Sequence, residues 1–477
     1  MGRVAVLVFG LALAGREALG QQAFPPVTAA DRILIVAPHP DDEVLGAGGL
    51  IQQANAVGAA VHIVYLTNGD HNQIAFKLYR LRLHIRPRQY LAFGEMRERE
   101  GAAAMKLLGV GREQLTFLGY PDYGTLRIWR DYWGQHPSFR SDATQATAVP
   151  YRDALKFEHP YKPENITADL LDVVGQFRPT KVFVAHPADT NPDHRAAANF
   201  VRLALLQLDM KPPPQIYYYV IHFGFWPRPP HYHPDLVLEP PRRLLDDGDW
   251  LSLSLTPEQV QKKHDAILEN RTELTTSEYA LVSFARANEL FATIDVLPVP
   301  TVPTNTVINW NWAVHSKSVG VGPNEPADKP PGERTAAAEL AAMALEETAY
   351  VRQGDDLIAQ VTLRNRLGKR ANIHLLLFGY RRGADFATQP KLNVNITPFG
   401  NVHVYNDGKR LPGGSVTVTS VGNRLLVRVP LRLLGEPAPD LLFTATRANL
   451  GEVAPDDSAW HLFSLSNRAG TGHNDTD

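Results

Sequence analysis

Ile33-Leu34-Ile35-Val36-Ala37, running directly into Pro38-His39-Pro40-Asp41-Asp42-Glu43, is the stretch that decides the fold. Five apolar residues without alternation read as a strand buried on both faces, the kind found in the middle of a parallel sheet. Val44–Ala56 follows with helical spacing. The charged turn therefore sits beyond the carboxyl end of a strand and at the start of a helix, where open α/β sheets bind ligands. Pro38 and Pro40 hold that turn extended. His39 and Asp42 can point at one ion, since imidazole and carboxylate both suit zinc and similar divalent metals. Asp41 can stay outside the coordination shell and act on water. The plainer reading is that Asp41 and Asp42 only cap the helix. The glycines of Gly46-Ala47-Gly48-Gly49 follow the acids and lack the G-x-G-x-x-G spacing, so they read as close helix–sheet packing and not as a dinucleotide site.

Outward from this point the rhythm repeats. Val61–Leu66, Leu115–Leu118, Val182–Ala185 and Ile216–Ile221 read as strands, and Arg97–Leu108, Ile166–Phe177 and Arg195–Leu208 as helices. The alternation predicts a mostly parallel, Rossmann-like α/β sheet with helices on both faces. Gly124–Pro163 breaks the pattern. It is long and rich in aromatics, and reads as a lid in which Trp129 and Trp133 either stack on a sugar or pack onto the domain. Leu297–Pro331 is dense in Pro, Asn and Gly, with one strand around Thr306–Val314. After Ala341, short apolar runs separated by Asn406-Asp407-Gly408 and Pro412-Gly413-Gly414 predict an all-β sandwich. The expected organisation is a signal peptide at 1–20, an α/β domain at 24–296, a linker at 297–340, a β-sandwich at 341–467 and a disordered tail at 468–477.

The signal-peptide reading rests on Arg3, the apolar run Val4–Ala14, and the small residues Ala18 and Gly20 before Gln21. It predicts export to the periplasm or beyond. The chain has 477 residues, formal net charge −2 and no cysteine. Disulfides, thiol catalysis and zinc–thiolate sites are thereby excluded. The charge balance gives no reason to expect a nucleic-acid partner, and no later run is long enough to cross a membrane. Lys77, Arg80, Arg82, Arg86 and Arg88 form a local basic run that reads as a solvated face or a contact for an anionic substrate. Oligomeric state is not legible.

His186-Pro187-Ala188-Asp189-Thr190-Asn191-Pro192-Asp193-His194 repeats the strand–His–Asp–helix logic after Val182–Ala185. Asp193-His194 would bring a third ligand and its carboxylate partner, as metal-bound histidines commonly have. Two such motifs at equivalent strand ends predict one shared site.

The two motifs together resemble the PIG-L/LmbE-like N-acetylglucosaminyl deacetylases. Arg97-Glu98-Arg99-Glu100 before Leu108-Gly109-Val110, and Phe117-Leu118-Gly119-Tyr120-Pro121-Asp122, are similar to further segments of that family. The resemblance covers Ile33 to Ile221 and extends towards Pro300. It implies zinc held by His39, Asp42 and His194, Asp41 as general base, and Asp193 as the residue that tunes the catalytic group. It implies Arg97 as a substrate contact, against the plainer reading of a surface pair with Glu100 one helical turn on. Read from the residues alone, Asp122 is a contact for a sugar hydroxyl or a turn residue, and His222, following a strand, lines the pocket or is a structural histidine. Asn191 stands where the family often has a histidine that stabilises the tetrahedral intermediate. Asn191 can donate a hydrogen bond there but cannot carry a proton. Two histidines and a carboxylate also describe Fe²⁺ sites. The implied activity is removal of an acetyl group from an N-acetylglucosamine-type sugar. The alternatives are a carbohydrate- or partner-binding protein with a weakened site, and a zinc hydrolase of a different amide.

Overall fold

The structure, a computed structural model, describes residues 21–71, 86–224, 226–304, 306–317, 345–365, 371–450 and 453–466. The expected signal peptide, the tail beyond 467, and Lys77, Arg80 and Arg82 lie outside these residues.

The α/β domain runs β1 (Gln21–Ala23), β2 (Arg32–Ala37), α1 (Asp42–Val57), β3 (Ala60–Thr67), α2 (Pro87–Leu107), β4 (Leu115–Tyr120), α3 (Thr125–Asp131), α4 (Pro163–Phe177), β5 (Lys181–Ala185), α5 (Pro192–Leu208), β6 (Gln215–Tyr219), β7 (Asp249–Ser254), α6 (Pro257–Ile267), α7 (Arg271–Leu281) and β8 (Asn288–Thr293). The sheet order is β1-β7-β8-β6-β5-β2-β3-β4. Strands β6, β5, β2, β3 and β4 are parallel; β8 runs antiparallel to both β6 and β7. The chain builds outward from β2 through β3 to β4, then returns to β5 on the other side. The crevice between the carboxyl ends of β2 and β5 is therefore the topological switch point. Ile33–Ala37 is wholly buried, as its unbroken apolar run requires.

Helix α1 is broken at Ala47 (φ −144°, ψ 17°). The break is served by a buried ion pair. Glu289 accepts the amides of Gly49 (2.7 Å) and Leu50 (2.9 Å), while Lys263 Nζ donates to Leu45 O (2.8 Å) and to Glu289 (2.6 Å). The glycines are packing residues. A Cβ on Gly46 would lie 2.7 Å from the Tyr219 ring, and one on Gly49 2.3 Å from Leu255.

The C-terminal part holds two largely antiparallel sheets around a shared core. One contains β9 (Thr301–Val302), β10 (Val314–Lys317), β11 (Leu345–Gln353), β12 (Asp356–Leu363), β17 (Thr417–Val421) and β18 (Arg424–Pro430). The other contains β13 (Ala371–Tyr380), β14 (Lys391–Ile396), β15 (Val402–Asn406), β16 (Lys409–Arg410), β19 (Leu441–Leu450), β20 (Val453–Asp457) and β21 (His461–Ser464). The stretch read as a linker needs correction. Its strands β9 and β10 pair with β11, and Thr306–Ile308 forms no strand. A run of Pro and Asn hides short edge strands because their partner lies far along the chain.

The lid reading also changes. Trp129 and Trp133 are buried, so neither offers a face to a sugar. Trp129 lies against Phe200 of its own domain and against Phe378, Phe386, Phe443 and Trp460 of the β domain, at 5.1–6.2 Å between ring centres. No helix among the described residues is long and apolar enough to cross a membrane.

Candidate metal centre

The loops leaving β2 and β5 bring His39, Asp42 and His194 together, all buried. Asp42 Oδ2 lies 3.1 Å from His39 Nδ1 and 3.1 Å from His194 Nε2, and the two nitrogens are 3.4 Å apart. Metal–ligand bonds of about 2.0–2.1 Å place tetrahedral donor atoms about 3.3–3.4 Å from one another. The triangle fits a first-row divalent ion, and its donor set of two imidazoles and one carboxylate suits that chemistry.

Each ligand is held from behind. His194 Nδ1 lies 3.1 Å from Asp189 Oδ2, which also accepts the amides of Ile221 (3.0 Å) and His222 (2.9 Å). The remaining Asp189 oxygen accepts Asn191 N at 2.9 Å. The carboxylate behind His194 is thus Asp189. The sequence reading gave that place to Asp193, but Asp193 opens the helix on the far side of the turn. Burial opposes a charge on His194, yet Asp189 and Asp42 outweigh it and push its pKa up to about 9.

Asp193 serves His39 instead. Its Oδ2 is 3.4 Å from His39 Nε2, and it also accepts the Tyr123 amide (2.5 Å), the Thr125 amide (3.0 Å) and the Thr125 hydroxyl. Asp122 Oδ1 stands 3.1 Å from the same His39 nitrogen, while Asp122 Oδ2 accepts His71 N at 2.9 Å.

Asp41 is left out of the triangle. Its φ of 137° is a strained conformation for a residue with a side chain. Glu43 Oε2 holds the Asp41 amide at 3.0 Å. Arg97 donates to Pro40 O (3.0 Å) and stands 3.3 Å from the Asp41 carboxylate. Burial pushes the Asp41 carboxyl well above its ordinary range; Arg97 pulls against this, and Asp42 adds to it. Carboxyls perturbed in this way cluster at functional sites.

Residues 34–205 match the family model described as PIG-L: GlcNAc-PI de-N-acetylase. Over this stretch the chain is similar to that family. Two curated relatives are each named a 1D-myo-inositol 2-acetamido-2-deoxy-alpha-D-glucopyranoside deacetylase. The one from Kineococcus radiotolerans is 30% identical over 34% of this chain and 41% of its own. The one from Streptomyces avermitilis is 38% identical over 19% of this chain and 29% of its own. The chain thus spans less than half the length of these relatives. Among solved structures, an N,N'-diacetylchitobiose deacetylase from Pyrococcus horikoshii aligns at 19% identity, over 56% of this chain and 84% of that one, with a TM-score of 0.35.

Two residues of the matched stretch sit differently from expectation. Arg97 is 4% exposed. Besides Pro40 and Asp41 it binds Gly69 O (2.9 Å) and Glu273 (2.9 Å), so it holds the Asp41 turn and is not open to a sugar. Glu100, one helical turn on, accepts from the Thr272 amide and hydroxyl. Asn191 caps α5, its Oδ1 accepting Asp193 N at 2.8 Å. His222 is brought to the site: its ring meets that of His194 edge-on, 4.8 Å between centres, and the residue is exposed. Asp189, Glu43 and Thr125 carried no predicted role. Asp189 had a signal, since it lies in the quoted His-Pro-Ala-Asp segment. Thr125 had none, because its partner Asp193 lies 68 residues away.

Proposed function

We propose that the α/β domain is a zinc-dependent N-deacetylase that hydrolyses the acetamido group of an N-acetylglucosamine-type sugar or glycoconjugate, giving acetate and a free amine. The observation that carries this reading is the separation of jobs: His39, Asp42 and His194 form one triangle, and Asp41 is held beside it by a different set of contacts. The names of the curated relatives support the substrate class.

Bound zinc would polarise the acetyl carbonyl and acidify water. Asp41 takes the proton of the attacking water and passes it to the nitrogen as the C–N bond breaks. Glu43 and Arg97 keep the Asp41 carboxyl aimed throughout. His222 faces the sugar; Asp122, expected as a sugar contact, is buried behind His39 and steadies that ligand instead, and Asn191 shapes the turn before His194 in place of an imidazole. Export by residues 1–20 completes the proposal; the mature chain would begin at Gln21.

The test is acetate release from a panel of N-acetylated sugars, with metal analysis of protein purified without added zinc. Asp41→Asn should keep the metal and lose turnover. An Asp41→Asn protein that still releases acetate at the normal rate sinks the base assignment. Metal-loaded wild-type protein that releases none from any acetamido sugar sinks the substrate class, and favours the binding-protein or other-amide readings.

A further inference from the structure

We propose that the C-terminal β domain is a working part of the metal centre, with Trp129 as the positioning residue that links them. The inference rests on the His39–Asp42–His194 site described above.

Two contacts carry it. The first runs through α3. Trp129, the aromatic residue of this helix, is walled on one side by Phe378, Phe386, Phe443 and Trp460 of the β domain. One turn earlier, at the start of the same helix, Thr125 gives its amide and hydroxyl to Asp193. Asp193 in turn faces His39 Nε2. A shift of Trp129 is therefore a shift of Thr125, because a helix of two turns moves as a rod. The second contact runs through the other motif. Trp460 N donates to Pro187 O (3.3 Å), the residue after His186, and Arg202 of α5 donates to Trp460 O (3.3 Å). His194 begins that helix. The β domain thus braces the turn behind His39 through tightly packed side chains that cannot yield smoothly, and the turn behind His194 through the main chain of Trp460, whose place is set by the packing of its ring. A detachable sugar-binding module would need neither contact.

The test uses the full-length, metal-loaded chain. Trp460→Ala and Phe443→Ala lie in the β domain; Trp129→Phe is the conservative variant. A displacement near 1 Å at catalytic groups is worth about 100-fold in rate. Trp460→Ala is expected to lower kcat about 10- to 100-fold with KM changed less than about threefold. The Co²⁺-substituted protein should show altered visible bands, since the ligand field senses His39 and His194 directly. Trp129→Phe, which keeps an aromatic ring in the same contacts, should retain most of kcat and the wild-type bands. Cooperative melting of each variant shows that it is folded. Folded Trp460→Ala and Phe443→Ala proteins with wild-type kcat and unchanged cobalt bands overturn the proposal and leave the deacetylase reading intact. A wild-type protein that binds no metal fails the site reading itself.

Discussion

The Asp189 carboxylate stands 3.1 Å from His194 Nδ1 and at the same time takes the amides of Ile221 and His222 at the end of β6. One oxygen therefore fixes both the tautomer of a metal ligand and the height of the neighbouring loop. Outer carboxylates of this kind commonly change metal affinity by about 10- to 100-fold. Asp189→Asn is expected to weaken metal binding by that factor with the fold retained. Competition against a chromophoric chelator measures it; unchanged affinity would show that His194 is oriented by packing alone.

Arg97 separates two views of the same helix. As a sugar contact it would govern KM. As the clamp on Pro40, Asp41, Gly69 and Glu273 it governs the aim of Asp41. A lysine carries the charge without the planar fork. Arg97→Lys is expected to lower kcat about 100-fold while KM moves little. Steady-state kinetics on metal-loaded protein distinguish the two, and a change confined to KM would return Arg97 to the sugar.

The Lys263–Glu289 pair is enclosed completely. Removing one partner leaves a buried charge, which costs about 3–5 kcal/mol. Glu289→Ala should show that loss in urea unfolding. The double change Lys263→Met with Glu289→Leu removes both charges, but it orphans the Gly49 and Leu50 amides, each worth about 1–3 kcal/mol. The double variant is thus expected to stay less stable than wild type. Full recovery would mean the helix break needs no acceptor.

Lys391 reports on the contact between the domains through pH. Its ammonium sits over the rings of Trp133 and Phe386 and donates to Phe386 O and Gln389 O. Burial lowers its pKa from 10.5 to about 7, with Asp407, Glu164 and Asp385 opposing. Between these values the unfolded chain holds a proton that the folded chain has released. Stability therefore gains from this group as pH rises from about 7 towards 10.5, and below 7 its burial cost is present in full. Lys391→Met should remove that rise. Unfolding midpoints at pH 6, 8 and about 9.5 for both proteins give the comparison; parallel curves would refute it.

Much of this was legible locally. Ile33–Ala37 and Val182–Ala185 announce buried strands, and each is followed at once by its ligands, so the metal triangle could be read from two short stretches. What escaped depends on distance along the chain. Arg97 has the spacing of a surface helix residue, and only the fold shows Asp41, Gly69 and Glu273 closing over it. Asp193 looks like the natural partner of His194 beside it, yet the helix turn points it at His39 and hands the role to Asp189. The segment holding Trp129 looks irregular because its partners are in another domain. Strands β9 and β10 were lost among prolines, since an edge strand needs little of its own periodicity once its neighbour supplies the ladder.

The break in α1 has a mechanical consequence. Asp42 and Glu43 ride on a stub that ends at Ala47; Lys263 of α6 ties that stub at Leu45 O, while Glu289 of β8 holds the Gly49 and Leu50 amides just past the break. The longer remainder of α1 can bend or fray without applying torque to the ligand turn. The joint works as an isolator: substitutions at its outer end, such as Ala56 or Val57, should be silent in catalysis, while disturbances reaching the stub from the sheet pass straight to the ion.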